Sequence, residues 1–176
     1  LVVVILASGT SQRIKHSTPK QYFILNKRTL LEINIKKFQA FNFVKEIIVV
    51  INKNHKDFYS PLKKKYKTVK FINGDNSRQK SSYNALRYLK KSDVNFICIH
   101  DAARPFVSNK LIERLYKEII IKKNSVIPVL KASDSIKLCR NNLILKSISR
   151  KNIYLSQTPQ FFDFKKLINA YENNIE

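Results

Sequence analysis

Short apolar runs alternate along this chain with segments whose apolar residues recur at helical spacing. The first run, residues 2–6, is continuous and β-branched, which is typical of a strand buried on both faces. Further runs predict strands at 47–51, 69–72, 95–99 and 126–130. Thr29 and Ser108 each precede an amphipathic segment and are expected to cap a helix, Thr29 in a capping box with Glu32. A last helix is predicted from about 163 to 171.

This alternation of strands and helices predicts one domain with a mostly parallel sheet that is covered by helices on both faces. Ligands of such sheets bind beyond the carboxyl ends of the strands. Polar loops follow three of the predicted strands, at 7–21, 74–81 and 100–105. Residues 131–150 are polar and broken, and they are expected to form an arm outside the core.

The first loop has the composition of an anion site. Small residues after a buried strand, Ala7, Ser8 and Gly9, let backbone N–H groups turn toward a phosphate, and Arg13 and Lys20 add positive charge. An ordinary loop with two solvated cations is the alternative on composition alone. A P-loop and a dinucleotide fingerprint are both excluded, because the chain has only two glycines.

The loop at 100–105 adds a carboxylate and a guanidinium. Asp101 directly follows a predicted strand and is placed to hold Mg²⁺ or a ribose hydroxyl. As an alternative to ligand binding, Asp101 and Arg104 could form a purely structural ion pair. For His100, a structural role is favoured over that of a general base.

Composition narrows the function less than the loops do. The net charge of +22 fits attraction to polyanions. The lysines are scattered along a chain rich in Lys, Asn and Ile, however, and no nucleic-acid motif accompanies them, which favours a general compositional bias without a functional cause. No apolar stretch approaches the ~20 residues that span a bilayer, so no membrane partner is expected. Two cysteines and three histidines predict neither a disulfide framework nor a zinc site, and they favour a reducing cytoplasm.

Taken in order, the motifs resemble the methylerythritol-phosphate cytidylyltransferase family of the non-mevalonate isoprenoid route. The matching segments are Ala7-Ser-Gly-x-x-x-Arg13, Pro19-Lys-Gln21, Gly74-x-x-x-Arg78-x-x-Ser81, His100-Asp-Ala-Ala-Arg-Pro105, Asp134-Ser-Ile-Lys137, Arg150 and Gln157-Thr-Pro-Gln160. The resemblance implies a Rossmann-like nucleotidyltransferase α/β/α sandwich. It also implies transfer of CMP from CTP to a sugar-alcohol phosphate with Mg²⁺, and a homodimer in which each 131–150 arm reaches the other subunit's site.

The resemblance also implies residue roles. The catalytic residues would be Arg13, Lys20 and Arg150. The CTP-binding residues would be Ala7, Ser8, Gly9, Gly74, Asp75, Ser81, Asp101 and Ala102. The residues that hold the sugar phosphate would be Arg104, Ser135, Arg150 and Thr158, and the metal ligand would be Asp101.

The chain departs from the family pattern at Ser11 and Asp75, which replace glycines, and at Ser135, which replaces threonine. The family's further substrate lysine lies beyond Glu176, so we expect this chain to be part of a longer protein. A fusion to a second enzyme is an open alternative. Two other functions are weighed against the main one. A ribitol-5-phosphate cytidylyltransferase shares the first loop and the Thr-Pro-Gln motif, whereas a basic nucleic-acid-binding homologue without catalysis is disfavoured by the intact Arg13, Lys20 and Asp101.

Overall fold

The computed structural model describes residues 1–11 and 16–174. The helices are α1 (Leu30–Gln39), α2 (Lys56–Lys65), α3 (Arg78–Leu89), α4 (Asn109–Lys122) and α5 (Phe164–Asn174), with 3₁₀ turns at Lys20–Tyr22, Lys53–His55 and Arg150–Asn152. The strands are β1 (Val2–Ala7), β2 (Ile24–Leu25), β3 (Arg28–Thr29), β4 (Glu46–Ile51), β5 (Lys70–Asn73), β6 (Phe96–Asp101), β7 (Val129–Lys131), β8 (Ile136–Arg140), β9 (Leu143–Ile148), β10 (Tyr154–Ser156) and β11 (Gln160–Asp163).

The main sheet has the strand order β11-β6-β1-β4-β5. β1 pairs in parallel with both β4 and β6, and β4 pairs in parallel with β5, whereas β11 runs antiparallel to β6. The predicted, mostly parallel sheet is therefore confirmed. The chain builds outward from β1 to β5 on one side and then crosses to β6 on the other. This reversal opens a crevice at the carboxyl ends of β1 and β6.

Alternation along the strands divides the core into two layers. Val3, Ile5 and Val49 face α1, α2 and α4, whereas Val4, Ile48 and Ile97 face α3 and α5. Because both faces of the sheet are covered, the strands read as continuous apolar runs, and the fold is a three-layer α/β/α sandwich.

The predicted helix caps are confirmed. The hydroxyl of Thr29 accepts from the Glu32 N–H at 3.1 Å, and that of Ser108 accepts from the Leu111 N–H at 3.2 Å. The second half of the Thr29 capping box does not form, because Glu32 turns to α2. There its buried carboxylate accepts hydrogen bonds from Lys65 and Tyr66 at 2.7 and 2.8 Å. Burial alone would raise the pKa of Glu32, but these two bonds and the Lys65 charge outweigh it and lower that pKa.

The structure differs from the predicted elements after α4. The run at 126–130 contributes an isolated bridge between Val126 and Phe161, followed by β7, which pairs with β10 outside the main sheet. Residues 160–163, expected to lead into the last helix, form the antiparallel strand β11. The arm at 131–150 contains the β8–β9 hairpin. Among the described residues, none of the helices has both the length and the apolar character needed to cross a membrane.

Candidate active site at the carboxyl edge of the sheet

The loops after β1, β4, β5 and β6 meet at one edge of the sheet. The Gly74 N–H donates to the carbonyl of Ile51 at 2.7 Å, and the Ala102 N–H donates to that of Leu6 at 3.0 Å. Asn52, after β4, donates its side-chain amide to the carbonyl of Ser8 at 3.4 Å. These bonds join the loops that were predicted to carry the site residues, at the edge of the sheet where the crevice lies.

Ser8, Gly74 and Ser81 form a tightly packed cluster. The hydroxyls of Ser8 and Ser81 lie 2.9 Å apart, and the Ser81 hydroxyl also accepts from the Asp75 N–H at 2.9 Å. A Cβ at position 74 would lie 2.5 Å from the Cβ of Ser8, so only glycine fits here without movement. The structure thus brings together Ser8, Gly74 and Ser81, which the resemblance assigned to CTP binding.

Asp75, one of the departures from the family pattern, uses its carboxylate locally. Its Oδ1 accepts from the Asn76 N–H at 2.7 Å, and the side chain is exposed. The part of residue 75 that faces the cluster is its backbone, which is bonded to Ser81 through both the N–H and the carbonyl. The carboxylate therefore caps the turn.

The first loop is held at its base by two side chains. Gln21 is buried, and its amide donates to the carbonyls of Ala7 and Gly9 at 2.8 and 2.9 Å. The Ser11 hydroxyl accepts from the Lys20 N–H at 2.8 Å. Ser11 has a φ of 56°, the left-handed region that a family glycine would occupy without strain. The predicted role of Arg13 lies outside the described residues.

Asp101 lies between two guanidinium groups. Its Oδ1 accepts from Nε of Arg78 at 3.2 Å, and its Oδ2 accepts from Nε of Arg104 at 3.3 Å. The two arginines are in turn bonded to glutamine side chains: Arg78 to Gln160 at 3.3 Å, and Arg104 to Gln157. The ion pair between Asp101 and Arg104 that the sequence left open is formed, and it is exposed to any ligand in the crevice.

His100 and Thr158 lie directly beneath this exposed cluster. The imidazole of His100 is fully buried, and burial lowers its pKa to about 4, although its hydrogen bond to the Arg104 carbonyl and the charge of Asp101 act in the opposite direction. A neutral, buried ring fits the structural role favoured from the sequence. The Thr158 hydroxyl bonds to His100 Nδ1 at 3.0 Å and to the Asp101 N–H at 3.4 Å.

The arm carries the remaining predicted residues, Ser135 and Arg150, both exposed. The Arg150 guanidinium donates to the carbonyl of Ser133, within the arm itself. In the part of the chain that the structure describes, no hydrogen bond joins Ser135 or Arg150 to the loops after β1, β5 or β6. The structure therefore groups the CTP residues and Arg104, but leaves the arm residues apart from them within one subunit.

Several residues that take part in the site received no role from the sequence. Arg78, Gln157 and Gln160 bond the Asp101 cluster or its arginines, and Gln21 holds the first loop. All four stand inside motifs that carried the resemblance, so their position in those motifs was the available signal. An apolar cleft of about 670 Å³ lies beside Arg104 and Thr158. It is lined mainly by the β2–β3 hairpin, residues 105–107 and the first turn of α4.

The switch-point sheet with small-residue and basic loops at its carboxyl edge, together with its likeness to a solved cytidylyltransferase, places the fold in the α/β nucleotidyltransferase class. The model of the family described as "IspD: 2-C-methyl-D-erythritol 4-phosphate cytidylyltransferase" matches residues 1–176. The chain belongs to this family.

Individual relatives agree with the family match. The chain is 39% identical over 173 residues to the bifunctional enzyme IspD/IspF of Pelagibacter ubique, covering 98% of this chain and 46% of that protein. It is 38% identical over 173 residues to the 2-C-methyl-D-erythritol 4-phosphate cytidylyltransferase of Petrotoga mobilis, covering 96% of this chain and 75% of the relative. The crystal structure of the Francisella tularensis enzyme superposes with a TM-score of 0.80 at 30% identity, over 99% of this chain and 79% of that one. The chain thus spans about half the length of its bifunctional relative.

Proposed function

We propose that the protein containing this chain transfers CMP from CTP to 2-C-methyl-D-erythritol 4-phosphate and releases pyrophosphate. One observation carries the proposal: the packed Ser8–Gly74–Ser81 cluster and the Asp101–Arg104 turn lie at the same sheet edge as the loop that bears Lys20. The family match favours this acceptor over ribitol 5-phosphate and over a nucleic-acid partner.

The reaction needs little covalent chemistry from the protein. An ionised phosphate oxygen of the acceptor attacks the α-phosphorus of CTP, and the bond from that phosphorus to the bridging oxygen breaks. Its electron pair leaves with pyrophosphate, and no proton has to be removed from the attacking group. Positioning and neutralisation of charge therefore supply the catalysis.

Each side chain contributes by position or by charge. Lys20, with Arg13, would neutralise charge that develops on the α-phosphate. Ser8, Gly74 and Ser81 would enclose the cytosine, with the backbone of residue 75. Further contacts would come from the other assigned residues: Ala7 and Gly9 to CTP, Asp101 and Ala102 to the ribose, and Arg104, Thr158, Ser135 and Arg150 to the sugar phosphate.

Mg²⁺ fits this site as an ion held mainly by the nucleotide. Within residues 1–11 and 16–174, no group of three or more His, Cys, Asp or Glu side chains could hold a metal, and Asp101 is the carboxylate beside Arg104. Mg²⁺ is commonly bound through one or two carboxylates together with substrate phosphates. We propose Asp101 as its protein ligand, and the ion would neutralise phosphate charge. Activity that survives chelation by EDTA would contradict this assignment.

The central test measures pyrophosphate release by the full-length protein with CTP and either acceptor. Lys20→Ala should lower turnover by roughly 10²–10³, because a preorganised donor to the transition state is lost. The same loss is expected for Arg13→Ala. Lys117→Ala, an exposed lysine on α4, is the matched control and should behave like wild type. Faster turnover with ribitol 5-phosphate, or wild-type rates for Lys20→Ala and Arg13→Ala, would overturn the proposal.

We further propose that two copies of the chain assemble through the 131–150 arm. Leu143, Ile144 and Leu145 on β9 are 70%, 65% and 57% exposed, which is unusual for consecutive apolar residues in a monomer. The apolar cleft beside Arg104 offers a surface of matching character. A dimer would bring Arg150 of one subunit to the crevice of the other. The free cysteines Cys98 and Cys139 favour a reducing cytoplasm for the assembly.

Subunit mixing tests this arrangement directly. Lys20→Ala and Arg150→Ala should each inactivate a homodimer, but a hybrid of the two variants contains one site with both residues intact. Random mixing should therefore restore about a quarter of wild-type activity, since half of the dimers are hybrids with one working site of two. No recovery after complete subunit exchange would show that Arg150 does not act across the dimer.

A further inference from the structure

A chain of buried hydrogen bonds holds the turn at residues 101–104 on the side that faces the protein core. Its members are Asn34 on α1, His100 at the end of β6 and Thr158 before β11, which are separated widely in sequence. Asn34 and His100 are fully buried and Thr158 is 8% exposed. In the proposed reaction this same turn carries the contacts to the ribose and to the sugar phosphate.

The proton on His100 Nε2 can be derived from the hydrogen bonds of Asn34. Its amide nitrogen donates to the carbonyls of Leu30 and Ala102 at 3.1 and 2.8 Å, which uses both of its protons. Its Oδ1, 3.1 Å from His100 Nε2, can only accept, so Nε2 must carry a proton. The carbonyl of Arg104, 3.0 Å from the same nitrogen, imposes the same requirement.

The other ring nitrogen, Nδ1, links His100 to Thr158. The Thr158 hydroxyl is hydrogen-bonded to His100 Nδ1 at 3.0 Å. The oxygen of Thr158 accepts in turn from the Asp101 N–H at 3.4 Å. The chain thus begins at the Asp101 N–H and ends at the carbonyls of Ala102 and Arg104.

Helix α1 holds the far end of the same loop. The Lys37 ammonium donates to the carbonyl of Val107 at 2.7 Å, and the ring of Phe38 packs edge-on against His100 with centroids 5.2 Å apart. The carbonyls of residues 102, 104 and 107 are therefore all occupied by side chains of α1 and β6. The side chains of Asp101 and Arg104 are left to face the crevice.

We propose that Asn34, His100 and Thr158 act as positioning residues, which hold the turn at 101–104 in its substrate-binding geometry through their buried hydrogen bonds, with a proton on His100 Nε2. The proposal rests on the function proposed above. Besides the contact with the sugar phosphate proposed above, it gives the Thr158 hydroxyl a role that is exerted through His100 and Asp101. It also assigns a role to Asn34, which stands on the inner face of α1 outside every loop motif.

Two variants of Thr158 separate positioning from folding. Thr158→Val keeps the shape but removes the hydroxyl, whereas Thr158→Ser keeps the hydroxyl and is the matched control. In the full-length protein, Thr158→Val should raise the KM for CTP and for the sugar phosphate and lower kcat/KM roughly 10- to 100-fold, as misplacement of binding groups does. The kcat should change less, because Lys20 lies on a different loop. Asn34→Leu should give the same pattern, and the double variant should be less than additive because both side chains act through one ring.

The state of the ring is measured independently of activity. Comparison with a His100→Gln variant assigns the signals of His100 in ¹⁵N-labelled imidazole NMR spectra, and at neutral pH they should show a proton on Nε2. Amide exchange at Asp101 should quicken in Thr158→Val but not in Thr158→Ser.

Three results would overturn the inference: a ring without a proton on Nε2 in the wild type, unchanged KM values in Thr158→Val accompanied only by a lower Tm, or equal loss in Thr158→Ser. If the wild-type protein transfers no CMP, the proposed function fails. The ring and exchange measurements then still decide whether the buried chain holds the turn.

Discussion

Gly74 offers the most direct test of how the nucleotide pocket is built. Alanine at this position would place a Cβ 2.5 Å from the Cβ of Ser8 and 2.9 Å from the hydroxyl oxygens of both Ser8 and Ser81. Ordinary Cβ contacts begin near 3.4 Å, so the loops after β1 and β5 would have to separate by about 0.9 Å (3.4 minus 2.5). Gly74 does not have a positive φ, so its requirement for glycine is steric and not conformational.

Two opposing effects determine the stability of Gly74→Ala. Loss of unfolded-state entropy stabilises a tolerated Gly→Ala change by ≈ 0.4–1 kcal/mol, whereas overpacking typically costs about 1–3 kcal/mol. The clash should prevail and lower the free energy of unfolding by about 1–2 kcal/mol. For a domain of this size the Tm should fall by roughly 2–8 °C, and the KM for CTP should rise because, in the proposed function, the same atoms enclose the cytosine. Thermal unfolding and initial-rate kinetics measure the two effects.

Substitutions at Ser8 and Gly9 make the test specific. Gly9→Ala is the control for stability, since its added Cβ would meet nothing within 4 Å and its Tm should not fall. In the Gly74→Ala background, Ser8→Gly should recover part of the lost stability by removing the Cβ at 2.5 Å, whereas Ser8→Ala retains that atom and should recover little. A Gly74→Ala protein as stable as the wild type, or equal rescue by both Ser8 changes, would refute the steric explanation.

Three further predictions concern the first loop, the buried histidine and the arm. Ser11→Ala should raise the KM for CTP, because it keeps the left-handed backbone strain but loses the acceptor for the Lys20 N–H. Ser11→Gly relieves that strain of roughly 1–3 kcal/mol, so its KM should rise less. A larger rise in Ser11→Gly than in Ser11→Ala would contradict this explanation. The pKa of His100 in the folded protein, about 4, lies below its ordinary value of 6.5. The contribution of the His100 ring to the free energy of unfolding should therefore be complete above pH 6.5, and about 3 kcal/mol should be lost as the pH falls to 4. The charged groups that face the ring are Asp101, Arg104 and Lys37. Urea unfolding of His100→Gln should lack that part of the pH dependence, and an unchanged profile would refute it. Leu143→Lys should shift the protein toward monomer in sedimentation, whereas Lys146→Ala, also on β9, should not; equal association of both variants would argue against the arm as the interface.

The parts of the fold that the sequence predicted are those governed by local pattern. β1 and, after Glu46, β4 are apolar because both of their faces are covered, and the caps at Thr29 and Ser108 depend on hydrogen bonds that span three residues. The rule that ligands bind beyond the carboxyl ends of parallel strands then predicted the edge of the sheet at which the candidate site lies.

The parts that were missed depend on distant partners. β11 is a short strand whose existence depends on pairing with β6, about sixty residues earlier, as in the register of Phe161 with Cys98. The segment at 131–150 was expected to lie outside the core, but the β8–β9 hairpin within it was not predicted, because it depends on the pairing of two short strands. Asn34 could have been noticed, because it is a polar residue on the helix face that carries Leu31, Ile35 and Phe38. Its partners, however, are brought to it only by the folded sheet.

The net charge of +22 and the charges at the site bear on function in different ways. Lysines spread over the surface act through a field that is screened within ≈ 8–10 Å at physiological salt, so they attract any anion weakly. The guanidinium groups of Arg78 and Arg104 are instead oriented by one carboxylate, Asp101, and by two glutamines of the Gln157–Gln160 motif. A group fixed in this way loses less side-chain freedom when a phosphate or hydroxyl replaces one of its partners. Selectivity for a particular phosphorylated substrate therefore follows from the oriented cluster around Asp101, and the same net charge without it would give only general affinity for polyanions.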